Sequence, residues 1–125
     1  MNKSMAKFRA LGRLSARTMN KTEQQHAWSL EVQAHDNPRF IISYEFEAIK
    51  LFIGMTPEGR QMWYCPDFMV HRSDKTIEFH EVKGGYIPED GYVKLTAAAR
   101  MYPMFRFVLY QKTKAGWFRK EIEAR

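Results

Sequence analysis

Trp63-Tyr64-Cys65-Pro66-Asp67-Phe68-Met69-Val70, followed after a polar turn by Thr76-Ile77-Glu78-Phe79-His80-Glu81-Val82-Lys83-Gly84, is the stretch on which the reading of this chain turns. Side chains alternate along a strand, so Ile77, Phe79, Glu81 and Lys83 fall on one face. That face begins apolar and ends in an acid and a base. An unpaired charge in a core costs several kcal/mol, so such a face must leave the core and open into a cleft. The earlier run has the same conflict, with Asp67 on the face of Trp63, Cys65 and Met69. Pro66 has no N–H to give a ladder, which predicts an interruption beside Asp67. If the two strands are neighbours, Asp67 and Glu81 bring two carboxylates together beside the Lys83 ammonium. Such carboxylates repel unless one is protonated or a cation lies between them, and an oxygen pair with room for water suits Mg²⁺ or Mn²⁺. A lysine two residues past a ligand can orient or deprotonate water, or meet charge developing on a phosphoryl oxygen.

Working outward, Asn20 and Glu23 have the spacing of a capping box, which predicts a helix from Asn20 to about Ala34, ended by Asn37 and Pro38. Glu23, Ala27, Leu30 and Ala34 form its inward stripe. Ile41 to Phe46 and Ile49 to Ile53 read as strand, counted together as one bent strand, and Pro57 and Gly59 turn it into a second strand over Gln61 to Val70. The turn Arg72 to Lys75 leads to the third, Thr76 to Lys83, and the short connections predict a meander of antiparallel strands. Asp90 caps a helix from about Tyr92 to Tyr102. Met104 to Tyr110 is a further strand and Trp117 to Ile122 its short hairpin partner. The order is α-β-β-β-α-β-β.

The 125 residues fit one domain, with 45% hydrophobic and 27% charged residues. Cys65 is the single cysteine, so no internal disulfide forms, which points to a reducing compartment or to indifference about redox state; the expected location is the cytoplasm. No apolar run is long enough for a bilayer, which predicts no membrane association through a helix. Of the 20 basic residues six, Lys3, Lys7, Arg9, Arg13, Arg17 and Lys21, fall within residues 1–21, which hold no acid. The other fourteen balance the 14 acids of residues 22–125. We therefore divide the chain into a basic arm, residues 1–19, and a domain, residues 20–125. Met5, Phe8, Leu11 and Leu14 recur every third residue, which suits a marginal helix or an arm that orders on binding. Clustered positive charge fits phosphate neutralisation on nucleic acid; a solubilising tail and a mitochondrial transit peptide are the competing readings.

Pro66-Asp67-Phe68, then Glu81-Val82-Lys83-Gly84 after a hairpin, resembles the PD-(D/E)XK nuclease signature. Asn20-Lys21-Thr22-Glu23 resembles the helix that carries the superfamily's additional acid. More narrowly, residues 63–110 resemble the phage endonuclease I type of Holliday-junction resolvase and a related family of small phage proteins. The resemblance implies a restriction-endonuclease-like α/β core, a mixed sheet of about four to five strands flanked by helices. It implies that Asp67, Glu81, the Val82 carbonyl and Glu23 hold Mg²⁺ or Mn²⁺, and that Lys83 is the catalytic lysine. The implied activity is DNA phosphodiester hydrolysis leaving a 5′-phosphate and a 3′-hydroxyl, in a phage recombination, replication or packaging setting. Arg9, Arg13, Arg17, Lys21 and Lys94 are the implied DNA contacts. The substrate is a branched junction, a flap, or plain duplex or single-stranded DNA, and a homodimer is expected from junction symmetry.

Each residue also has a plain structural reading. Glu23 is accounted for by the capping box alone, Asp67 by a loop, Glu81 and Lys83 by a surface pair, and Lys94 by solvation. His26, His35, His71 and His80 lack close metal-ligand spacing with one another or with Cys65, which argues against zinc. His80 points away from Glu81 and reads as packing, and Cys65 as a small core residue. Trp28, Trp63 and Trp117 fit core packing, with base stacking as the alternative for an exposed ring. The function from a different class is a non-catalytic nucleic-acid-binding or scaffold protein that keeps the fold.

Overall fold

The structure is a computed structural model that describes residues 9–12 and 17–123. Among these it is mixed α/β, with two helices and two sheets. In chain order the elements are β1 (Ala10–Gly12), α1 (Lys21–Asp36), β2 (Ile41–Phe46), β3 (Ile49–Met55), β4 (Gln61–Tyr64), β5 (Phe68–Arg72), β6 (Ile77–Gly84), α2 (Glu89–Met101), β7 (Arg106–Thr113) and β8 (Gly116–Glu121). One sheet has the order β1-β3-β4 and the other β2-β5-β6-β7-β8. Among the described strands only β6 and β7 pair in parallel, joined through α2, as a parallel pair requires a crossover.

The three-stranded meander predicted from sequence is corrected by this topology. Gln61 to Val70 is not one strand: it breaks at Cys65–Asp67, and its halves belong to different sheets. Pro66 cannot donate to a ladder, so the chain leaves one sheet there and enters the other. Residues 41–53 divide in the same way, at Glu47, whose φ of 48° turns the backbone out of the extended region. The two crossings touch, because the Glu47 N–H donates to the Asp67 carbonyl at 2.8 Å. The hairpins β3–β4 and β5–β6 form as predicted, but in separate sheets.

Helix α1 has the predicted cap: the Asn20 side chain accepts from the Glu23 N–H and the Glu23 carboxylate accepts from the Asn20 N–H. It buries Glu23, His26, Ala27 and Leu30, and Ala27 and Leu30 pack with Ile41, Phe68, Val70 and Val82. On the other side α2 places Leu95, Ala98 and Ala99 against Leu51, Tyr64, Phe79 and Phe107. Helix α2 begins at Glu89, before the predicted start, with Pro88 as N-cap and no side-chain cap from Asp90. Pro88 fixes its own φ and so presets the entry, while Glu89 and Asp90 lie in the first turn, where the dipole favours acids. Strand β7 starts at Arg106 rather than Met104 because the Phe105 N–H closes a turn on the Tyr102 carbonyl.

Of the arm, Ala10–Gly12 is a strand on β3, which corrects the helical reading of that segment. Its neighbour Phe52 donates its N–H to the Arg9 carbonyl at 2.9 Å, and sheet pairing of this kind outweighs a weak three-residue periodicity. Lys3, Met5, Lys7, Phe8, Arg13 and Leu14 lie outside the described residues.

Candidate functional site

The acids gather where the two sheets part. The β5–β6 ladder ends at Phe68 opposite His80, which sets Asp67 and Glu81 opposite each other one step beyond it. Past that point the Val82 N–H meets no strand backbone on the β5 side, and Asp67 Oδ2 accepts from it at 2.8 Å. Glu81 Oε1 accepts from the Tyr64 hydroxyl at 2.6 Å, and Glu81 Oε2 lies 3.2 Å from Lys83 Nζ. Asp67, Glu81 and Glu23 are all buried, while Lys83 is half-buried with its ammonium directed at Glu81.

Helix α1 reaches the same place through a close approach. A Cβ on Gly84 would come within 2.7 Å of Thr22 Oγ1, so a side chain there would force Thr22, the neighbour of Glu23 in the first turn of α1, to shift. Glu23 lies near enough to Asp67 to raise its pKa.

Arg17 is the unexpected member. It makes a two-pronged contact with Glu23, Nη1 to Oε1 at 3.0 Å and Nη2 to Oε2 at 2.7 Å. The same guanidinium bonds Glu47 Oε2 through Nε at 3.0 Å and Nη2 at 2.6 Å, and Nη2 stands 4.0 Å from Asp67 Oδ1. Glu47 and Tyr64 were not among the sequence candidates. The signal for Glu47 was an acid at the point where strand patterning lapses, between Phe46 and Ile49.

The electrostatics follow from burial. Burial, followed by the neighbouring Glu81 charge, pushes the Asp67 carboxyl up to about 7, even though the Val82 N–H and the Lys83 charge favour its ionised form. Burial opposes the Lys83 charge, but Glu81, Asp67 and Glu23 outweigh it and raise the lysine above its ordinary value. The paired bonds to Glu23, against some desolvation and helped by Glu47, hold Arg17 firmly charged.

No three His, Cys, Asp or Glu side chains among the described residues converge closely enough to hold a metal ion as they stand. The donors present are nonetheless carboxylate oxygens, the set a hard divalent cation takes. The residues fit such an ion by donor chemistry, while the cation that Glu23 and Glu47 hold in this structure is Arg17.

The remaining sequence candidates are spread more widely. Arg9 stacks on the Phe52 ring at 4.4 Å and faces Trp63 at 5.7 Å. Lys21 is exposed at the start of α1, and Lys94 is exposed on α2 beside Ile53 and Met62. Arg13 is outside the described residues. His80 does lie on the face opposite Glu81, where Nδ1 is 2.9 Å from His26 Nε2 and Nε2 is 2.8 Å from Glu78 Oε1. With ionised Glu78 accepting from Nε2–H, His80 Nδ1 is the acceptor and His26 Nε2–H the donor.

The chain matches no family model, no curated protein and no solved structure.

Proposed function

We propose that this chain is a divalent-metal-dependent DNA endonuclease of the PD-(D/E)XK kind. The observation that carries the reading is the placement of Asp67 opposite Glu81 at the strand ends with the Lys83 ammonium 3.2 Å from Glu81. Asp67, Glu81, the Val82 carbonyl and Glu23 are the residues that would hold Mg²⁺ or Mn²⁺. The chemistry supplied by the bound ion is polarisation of the scissile phosphate and acidification of a water.

The chain's own residues do the rest. Tyr64 and Lys83 hold Glu81 from both of its oxygens, which fixes the carboxylate plane. Lys83 stays protonated at neutral pH, so it orients a water or meets charge on a phosphoryl oxygen rather than acting as a base in this state. The superfamily reading includes a restriction-endonuclease-like core, and within it a phage resolvase acting as a homodimer on branched DNA in the host cytoplasm is the narrower proposal. No helix among the described residues is long and apolar enough to cross a membrane.

One observation favours a second reading, a binding or scaffold protein that keeps the fold: Arg17 already neutralises Glu23 and Glu47. The deciding experiment is cleavage of a labelled four-way junction and a linear duplex with Mg²⁺, with Mn²⁺ and with EDTA, by the parent, Asp67→Asn and Glu81→Gln proteins. Cutting that is lost with EDTA and with either substitution is expected. Binding without cutting on every DNA would hand the case to the scaffold reading.

A further inference from the structure

The net neutrality of residues 22–125 conceals a second cluster of positive charge. Between Gln111 and Lys120 the β7–β8 hairpin holds Lys112, Lys114, Arg119 and Lys120 and no acid. Register sets Lys112 opposite Trp117 and Tyr110 opposite Arg119. Directly opposed residues share a face, so this face presents two cation–ring pairs side by side. Lys112 Nζ is 5.7 Å from the Trp117 ring centre, and the Arg119 guanidinium is 5.9 Å from that of Tyr110, with its Nε donating to the Tyr110 hydroxyl at 3.2 Å. Trp117 is 41% exposed, with the His26 ring centre 6.1 Å from its own and the remaining surface open to solvent.

This face is continuous with α1. Lys112 Nζ donates to Gln25 Oε1 at 2.7 Å, and Gln25 lines a shallow groove with Lys21, Gln24 and Trp28, the last 70% exposed. It also adjoins the acids: Lys112 is the register partner of Gly84, the residue after Lys83. The Gly85 N–H donates to the Lys112 carbonyl at 2.6 Å.

We propose that this strip, from Trp28 through Gln25 and Lys112 to Trp117 and Arg119, binds a nucleic-acid strand with unpaired bases. The tryptophans offer flat faces to bases, and Lys112 and Arg119 meet phosphates. Intact duplex hides its base faces within the stack, so exposed tryptophans match a single strand or the frayed arm of a branch. An acidic polypeptide would satisfy the charges but give the two rings no planar partner. The strip rests on the reading of DNA as the substrate and narrows it to strands that are open beside the cut.

The test is binding of the full chain, in EDTA so that nothing is cut, to labelled oligothymidylate and to a duplex of equal length across a salt series. Trp117→Ala is expected to weaken single-strand binding about tenfold, with Trp28→Ala acting in the same sense and Trp117→Phe keeping most of the affinity. Lys112→Gln should lower the salt slope by about 0.7, the share of one phosphate contact on a single strand. Lys120 reaches the other way, to the Tyr92 hydroxyl at 3.1 Å, and Lys120→Gln serves as the control without effect. Parent-like binding by both Trp117→Ala and Lys112→Gln would overturn the strip, as would polyglutamate competing as well as oligothymidylate. Lys112→Gln keeps the test decisive if Trp117→Ala does not fold. Strip variants that lose binding, in a chain that cuts no DNA with Mg²⁺, would sink the nuclease reading and leave the strip standing.

Discussion

Arg17 and Glu47 are thirty positions apart in sequence, yet two guanidinium nitrogens of Arg17 bond one oxygen of Glu47 while the same group grips both oxygens of Glu23. Glu23 and Glu47 are buried, and Arg17 is a cation that both of them share. The Arg17 side chain is itself nearly half exposed, which screens the contact. Arg17→Gln is therefore expected to cost about 1–2 kcal/mol, below the full penalty for breaking a buried pair. Arg17→Lys should recover only part, since an ammonium cannot make the two-pronged contact. Thermal melts in EDTA measure both; an Arg17→Gln protein that melts with the parent would show that solvent already screens these acids.

Asp67 and the buried histidines act on stability with opposite signs as pH changes. Asp67 has its folded pKa raised from 3.8 to about 7, so its contribution is full below about 4 and is lost as pH rises through about 7. Burial, with His80 as the second cause, lowers His26 from 6.5 to about 3, so its contribution is full above 6.5 and is lost as pH falls toward 3. Burial lowers His80 as well, against the pull of Glu78. Between about pH 4 and 6.5 the Asp67 trend therefore offsets one histidine. Asp67→Asn should steepen the acid loss of stability and gain at most about 4 kcal/mol at pH 8, one pKa unit being about 1.4 kcal/mol. His26→Gln should flatten the same profile. Denaturant midpoints at pH 5 and pH 8 decide, and parallel profiles for all three proteins would contradict the offset.

Gly84→Ala should destabilise the chain by about 1–3 kcal/mol, because the new methyl meets Thr22 Oγ1 at 2.7 Å. Thr22→Ala removes that atom, so the double variant should regain most of the loss. Additive losses in the double-mutant cycle would place the strain elsewhere.

Tyr64→Phe removes the 2.6 Å donor to Glu81 and keeps the Lys83 ammonium 3.2 Å from the carboxylate. If the chain is the proposed nuclease, cleavage should fall about tenfold with substrate binding unchanged, the loss of one hydrogen bond to a charged group. A drop in binding with an unchanged maximal rate would show that Tyr64 acts by supporting the fold of the binding surface rather than through Glu81.

How much of this was legible in the sequence depended on the range of the interaction. The Asn20–Glu23 box is local chemistry and formed as read. Pro66 announced a break in the ladder, since a missing N–H is visible in one residue. That the halves beyond the break join different sheets was not visible, because strand pairing is decided by partners far along the chain. The same holds for Arg17: a run of basic residues reads as a field, and only folding reveals that this one is neutralised by Glu47. The hairpin cations were hidden by averaging, as acids elsewhere cancelled them in the count.

The hydrogen bond between the Glu47 N–H and the Asp67 carbonyl joins the two places where the chain changes sheet. From that seam β3 and β5 run outward and β4 and β6 return, so the turns at Thr56–Arg60 and Ser73–Lys75 sit at the far ends of their hairpins. The first of these tips is the natural handle of the molecule. A dye, a tether or an added peptide at Glu58, exposed in its turn, would stand a hairpin's length from the acids and Lys83, whereas the Asp74 carboxylate is committed to its own turn through the Thr76 N–H.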